Sequence, residues 1–331
     1  MLPTAPLTFL PLFKERVWGG RSLATLYGKE LPAGLQIGES WELSDRPEGI
    51  SVISSGPLAG KTLHDLVELY PKELLGNLLP QEGRFPWLMK LLDARDDLSL
   101  QVHPPASKAA ALNGQPKTEL WYVADANPGA QIHFGLLPGI TRKEFEARTQ
   151  EGSVAACVQH LTAHKGAALF LPSGRVHALG AGTVVFEIQQ NSDTTYRVFD
   201  WNRVGLNGQP RDLHLPQAFE SIDFYDTCPA FVPELWSRIG DGITTRPLLR
   251  HSLFDVDLFR FSPGASLSLL LNEGPLLAGC IDGRLEIVTG NETVPLFSAG
   301  FALIPAIAGS AIMTSRHTGG LLLTVRRHSR Y

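Results

Sequence analysis

The sequence predicts a mainly β protein whose short strands close into barrels or sandwiches, with a small helical insertion. Three observations carry that expectation. Among 331 residues, 32 Gly and 24 Pro favour frequent tight turns over long helices. From residue 166 onward, strand-length apolar runs are separated by Gly and Pro at the spacing of a sandwich or barrel. Hydrophobic residues make up 44 % and charged residues 19 %, enough for a large core and, on a prior of ~150 residues each, about two domains.

Charge and terminal sequence narrow the function classes. A formal net charge of −4 argues against polyelectrolyte binding by bulk charge, so no nucleic-acid partner is expected. No stretch approaches the ~18 uninterrupted apolar residues of a membrane span. The N-terminal segment lacks a basic start followed by an apolar run, so no leader is expected. Cys157, Cys228 and Cys280 are widely spaced and form no CxxC pair, which fits a reducing compartment. A cytoplasmic protein with no membrane partner is the expectation.

The elements follow in order. Residues 1–60 read as extended segments and turns. Leu63, Leu66, Val67, Leu69, Leu74 and Leu75 have helical spacing interrupted by Pro71, which predicts a helical pair around 62–80. Gly56-Pro-Leu-Ala-Gly-Lys-Thr62 is one residue too short for a phosphate loop and reads instead as a turn with Thr62 capping the next helix. Strands are expected at 87–92 and 98–102, a short helix at 106–112 and a longer helical segment at 141–161. Strands resume at 168–171, 176–179, 183–188 and 195–199. Residues 210–236, rich in Pro, read as a connection. A second β domain of short strands follows, among them 276–281 and 284–288. The expected division is a catalytic metal-binding domain over 1–236 and a metal-free β domain over 237–331.

Two motifs bring chemistry-bearing side chains together. In Leu98-Ser-Leu-Gln-Val-His-Pro-Pro105, Gln101 and His103 share one strand face while Leu100 and Val102 take the other. Alone, His103 would pass as a residue at a strand end before a Pro-Pro turn. In Gly166-Ala-Ala-Leu-Phe-Leu-Pro-Ser-Gly-Arg-Val-His177, an apolar strand runs into a Pro-x-Gly turn that delivers His177 to the next strand. That run matches the cupin pattern G-x5-P-x-G-x2-H through the His, with Ala181 where the pattern continues with Asn. Glu119 begins a further apolar strand. An amide oxygen, two imidazoles and a carboxylate suit a borderline divalent ion such as zinc, with a position open for water or substrate.

Together with 11–20, 38–45 and Asn191-Ser-Asp-Thr-Thr-Tyr-Arg-Val-Phe-Asp-Trp-Asn-Arg203, these pieces resemble the zinc-dependent type I mannose-6-phosphate isomerases, in a short bacterial form, over roughly residues 8–225. The resemblance implies two cupin-type jelly-roll β-barrels and one zinc ion held by Gln101, His103, Glu119 and His177. It implies Arg197 as the active-site arginine, Lys117 and Ser99 near the substrate, and Glu187 at a position often acidic. The family's Lys-Pro-Glu reads Lys117-Thr-Glu here.

The implied reaction interconverts mannose 6-phosphate and fructose 6-phosphate, which requires moving a proton between adjacent carbons while an enediolate is stabilised. Lys117 is the expected proton carrier, with Glu187 as its rival. Arg197 would hold the enediolate oxygens or the phosphate; Ser99 and Arg203 are the further phosphate candidates. Two other readings remain open: a non-catalytic sugar-phosphate-binding cupin, and another metal-dependent cupin enzyme such as an iron oxygenase. The expected partner is a sugar-phosphate substrate, and the expected state a monomer or weak homo-oligomer. Trp18, Trp41 and Trp121 are expected in the core, and His133, His160 and His164 either at the surface or just behind the residues that form the site.

Overall fold

Alternating apolar and polar positions become strands in the computed structural model, which describes residues 2–227, 229–271 and 273–327. The chain divides into two units, Phe13–Trp41 with Leu88–Val232, and Met1–Leu12 with Glu42–Trp87 and Pro233–Tyr331. This partition departs from a single cut after residue 236. The N-terminal segments join the C-terminal strands through long-range backbone pairing. Leu7 and Leu303 exchange N–H to O bonds of 2.8 Å each, and Phe9 bridges Ile53.

The unit containing residues 88–232 has two sheets. The first runs Leu12–Gly20, Ile37–Leu43, Trp87–Ala94, Thr183–Gln190, Glu119–Ala126, Ala168–Leu171. The second runs Tyr196–Phe199, Leu100–Val102, His177–Leu179, Gln131–Leu136, Val158–Thr162. Strand parity sorts their side chains. Trp121, Val123, Ile132, Phe134, Leu169, Leu179 and Val185 form one buried cluster, and Glu119, His177 and Glu187 share strand faces with members of it. Leu100, Val102, Ala178 and Val198 point the opposite way, into a second cluster with Phe145, Cys157, Ala218 and Ile222. The second sheet therefore packs apolar side chains on both faces, and truncating one such as Phe134 to Ala would cost about 3–5 kcal/mol.

Helix Arg142–Gln150 starts where the Thr141 hydroxyl accepts from Glu144 N at 3.2 Å. It does not reach residue 161. Gly152 adopts φ 75°, Val154–Cys157 make one 3-10 turn, and Val158–Thr162 pairs at the edge of the second sheet. Edge pairing wins there over a partial helical period. The connection at 210–236 likewise contains a helix, Leu215–Ser221.

In the other unit, Thr62 and Asp65 form a capping box (Asp65 N to Thr62 Oγ1 3.0 Å, Thr62 N to Asp65 Oδ2 2.8 Å) that starts Leu63–Leu69. Pro71 opens the next helix, Pro71–Leu75. The strands expected at 276–281 and 284–288 are one strand, Leu276–Thr289, whose register shifts between Cys280 and Asp282. Gly283 permits the bend. Its φ is 84°, and a Cβ there would lie 2.5 Å from the Gly319 carbonyl oxygen. This strand pairs with Glu292–Phe297, Gly300–Ile304, Ser310–Thr314 and Gly320–Arg326 around a core including Phe259, Leu285, Ile287 and Met313. Cys157 and Cys280 are buried free thiols; Cys228 lies outside the described residues.

Candidate metal centre and cavity

Gln101 lies at the centre of a three-residue strand, opposite His177 on one side and Arg197 on the other. His103 follows, and Pro104-Pro105 ends the strand. The turn before His177 is tied to it by Gly174 N donating to the His103 carbonyl at 2.8 Å. Glu119 opens its own strand, paired with Leu171 and Gln189. Backbone pairing thus places Gln101 beside His177 in the second sheet and sets Glu119 in the first, and the three stretches meet where the two sheets face each other.

The atoms at that point are arranged for a cation. His103 Nδ1–H donates to the Thr194 carbonyl at 2.8 Å, and His177 Nδ1–H to the Arg175 carbonyl at 3.0 Å. Each tautomer is thereby fixed with a bare Nε2 turned inward. His103 Nε2 stands 3.3 Å from Glu119 Oε1, and His177 Nε2 3.8 Å from Oε2. Among the described residues, ligand atoms of His103, Glu119 and His177 all fall within 4.8 Å of one another. All three side chains are buried, and His103 Nε2 and both Glu119 oxygens lack an aligned hydrogen-bond donor or acceptor. Lys117 Nζ approaches Glu119 Oε1 to 2.6 Å as a charge neighbour. The Gln101 amide completes the group, 3.3 Å from His177 Nε2, with its Oε1 accepting from Ser99 Oγ at 3.4 Å.

Electrostatics keep these groups in ligand form. Burial, followed by the charge of its imidazole neighbour, depresses His177 to about 3, and burial lowers His103 as well. Burial alone would raise Glu119, but Lys117 and the two histidines hold it well below the usual carboxylate range. Glu187 behaves oppositely: burial and the Glu119 charge push it to about 7, although Trp121 Nε1 donates to it at 2.9 Å.

A cavity of about 530 Å³ is lined by Ser99, Gln101, Lys117, Glu187 and Arg197, along with residues the motifs did not flag. Lys90 is one. Its Nζ lies 3.3 Å from Asp193, 3.7 Å from Glu187 and 3.8 Å from Glu39, and these carboxylates raise its pKa against the opposing effect of burial. Glu39 also accepts from Arg16 Nε at 2.9 Å and Trp41 Nε1 at 2.6 Å. A lone Lys inside the apolar run Trp87-Leu-Met-Lys-Leu-Leu92 was the available signal.

Arg203 does not line this cavity. Its Nε and Nη2 donate to Asp200 Oδ1 at 3.1 and 2.9 Å, and its Nη1 to the Asp97 carbonyl, so it ties down a loop instead of facing a ligand. Arg211 takes the lining position. Trp18, Trp41 and Trp121 are buried, and Trp18 and Trp121 also line the cavity. His133 is buried, and His160, its ring 4.6 Å away, is exposed.

The fold and site define a β-sandwich protein with a buried centre of two histidines and one carboxylate, next to a cavity that Gln101 and Lys117 line. Residues 7–132 match the family model for the phosphomannose isomerase type I catalytic domain. Mannose-6-phosphate isomerase ManA of Bacillus subtilis is 36 % identical over 307 residues, covering 92 % of this chain and 94 % of that protein. The mannose-6-phosphate isomerase of Streptococcus mutans is 32 % identical over 301 residues, covering 91 % and 92 %. A crystal structure of the Bacillus subtilis mannose 6-phosphate isomerase superposes with a TM-score of 0.88 at 30 % identity, covering 97 % of this chain and 99 % of that one. A zinc-bound mannose 6-phosphate isomerase shares the fold, with a TM-score of 0.74 at 17 % identity and coverage of 98 % and 99 %. The chain belongs to the type I phosphomannose isomerase family.

Proposed function

We propose that this protein is a mannose-6-phosphate isomerase that interconverts mannose 6-phosphate and fructose 6-phosphate with one bound zinc ion. The observation that carries the reading is the convergence of the inward His103 and His177 Nε2 atoms, the former without a hydrogen-bond partner, on the buried Glu119 carboxylate, which has Lys117 Nζ at 2.6 Å, beside the cavity. Buried polar atoms without partners are costly, so their clustering fits residues built to hold a cation. His103, His177 and Glu119 would hold zinc, with Gln101 supplying its amide oxygen once the amide is turned. Zinc would supply Lewis-acid polarisation of the sugar oxygens.

The chain's own side chains would do the rest. Lys117 would move the proton between the two carbons. Glu187, pushed to about 7 by burial and by Glu119, has the alternative proton-carrying position. Lys90 would keep the Glu39, Glu187 and Asp193 carboxylates from repelling an anionic substrate. Arg197 would hold the developing oxyanion, and Ser99 would donate to the sugar phosphate. In this reading residues 237–331 take no chemical part, and the protein acts as a monomer or weak homo-oligomer in the cytoplasm, where phosphorylated hexoses and free thiols coexist.

The test is turnover of mannose 6-phosphate followed through fructose 6-phosphate, before chelation, after it, and after zinc is returned. Activity lost on chelation and restored by zinc supports the reading. An enzyme silent with every metal, or equally fast without any, sinks it.

A further inference from the structure

Cations along the cavity wall differ in how well they are neutralised. Arg16 and Lys90 are matched by Glu39, Glu187 and Asp193. Arg197, Arg203 and Arg211 are not: three guanidiniums gather around the carboxylates of Asp200 and Asp212. Asp200 is buried and accepts from Arg211 Nε at 2.7 Å and from Arg211 Nη2, as well as from Arg203. Arg197 Nη1 donates to the Asp212 carbonyl at 2.6 Å, while its Nε is buried without a partner. Of these three guanidiniums, Arg197 and Arg211 line the cavity, as Arg16 and Lys90 do.

The geometry suits a doubly charged oxyanion. A guanidinium carries five N–H donors in a planar fork, and Asp200 engages one edge of Arg211, which leaves the remaining donors for a ligand. Arg197 is the cross-strand neighbour of Gln101, so the surplus charge lies one strand away from the proposed metal centre. Asn207, on the loop closed by Gly205 N donating to the Gln209 carbonyl at 2.7 Å, lines the same cavity and adds a neutral donor.

We propose that Arg211, oriented by Asp200, recognises the phosphate of the hexose phosphate, with Arg197 beside it. The inference rests on the isomerase reading and assigns the phosphate end of that site. Asp200 acts through Arg211 and is a positioning residue.

The test compares Arg211→Lys, Arg211→Gln and Asp200→Asn with the zinc-loaded wild type. Loss of a charge-assisted contact predicts a KM for mannose 6-phosphate raised about 10- to 100-fold in Arg211→Gln, with kcat within a few-fold and zinc content kept. Competitive inhibition by inorganic phosphate should weaken in parallel, and Arg211→Lys should recover part of the loss. Asp200→Asn should raise KM less than Arg211→Gln. An unchanged KM, or a fall in kcat alone, overturns the inference. If the variants do not fold, wild-type crystals soaked in inorganic phosphate decide: phosphate on the Arg211 guanidinium supports it, and phosphate elsewhere or none overturns it. Wild-type turnover separates the two ideas, since an inactive wild type removes the isomerase reading, whereas an active wild type with an indifferent Arg211 removes only this one.

Discussion

Replacing Glu39 with Gln isolates the charge in the most heavily paired part of the cavity wall. The amide oxygen can still accept from Trp41 or Arg16, so shape and one hydrogen bond survive while the negative charge facing Lys90 and Arg16 is lost. Burial would raise Glu39 from its ordinary value, yet Lys90 and Arg16 together with the Arg16 and Trp41 hydrogen bonds hold it at about 2. A carboxylate depressed that far contributes on the order of 3 kcal/mol at neutral pH, comparable to the ~3–5 kcal/mol for breaking a buried pair. The sign is fixed by linkage. Because the folded value lies below the unfolded one, the contribution is complete above about pH 5 and fades as pH falls toward 2. Urea unfolding of wild type and Glu39→Gln from pH 7 to pH 3 measures it. The expected gap is about 3 kcal/mol at pH 7, shrinking by half or more at pH 3. A gap below about 1 kcal/mol at pH 7, or one of constant size across the range, would refute the electrostatic account.

Three further outcomes follow from the same geometry. Glu119→Gln should lower bound zinc measured by atomic absorption and reduce the rise in melting temperature on adding zinc, because a neutral amide replaces the only carboxylate of the set. Lys117→Met should keep zinc and substrate affinity while kcat falls by roughly 10²–10⁴; a variant at full speed would move proton transfer to Glu187. Gly180→Ala should destabilise the fold by at least about 3 kcal/mol in thermal unfolding, since the new Cβ would fall 1.9 Å from the Gln131 carbonyl oxygen, and an unchanged melting temperature would contradict so close a backbone approach.

What could be read from the sequence was whatever local pattern determines. Period-two alternation placed Gln101 and His103 on one face, and the Pro-x-Gly turn placed His177, because strand parity and turn chemistry act over a few residues. Thr62 as a helix cap is legible for the same reason. Arg203 and Arg211 are eight positions apart on one loop and both donate to Asp200, so nothing local distinguishes the cation that ties the loop from the one that lines the cavity; the bond from Arg203 to the distant Asp97 carbonyl decides. Lys90 was hidden because its strand reads as core, and its three carboxylate partners come from distant segments. The strand at 158–162 and the grouping of residues 1–12 with the C-terminal strands depend on long-range pairing that a single sequence does not display.

Both inward histidines are held by main-chain carbonyls, those of Thr194 and Arg175, with no outer carboxylate. A peptide oxygen cannot be exchanged by point substitution. Evolution, or an engineer, therefore has little freedom to adjust imidazole donor strength in this protein, and retuning the site toward another ion would have to work through Glu119, Gln101 or the charges around them.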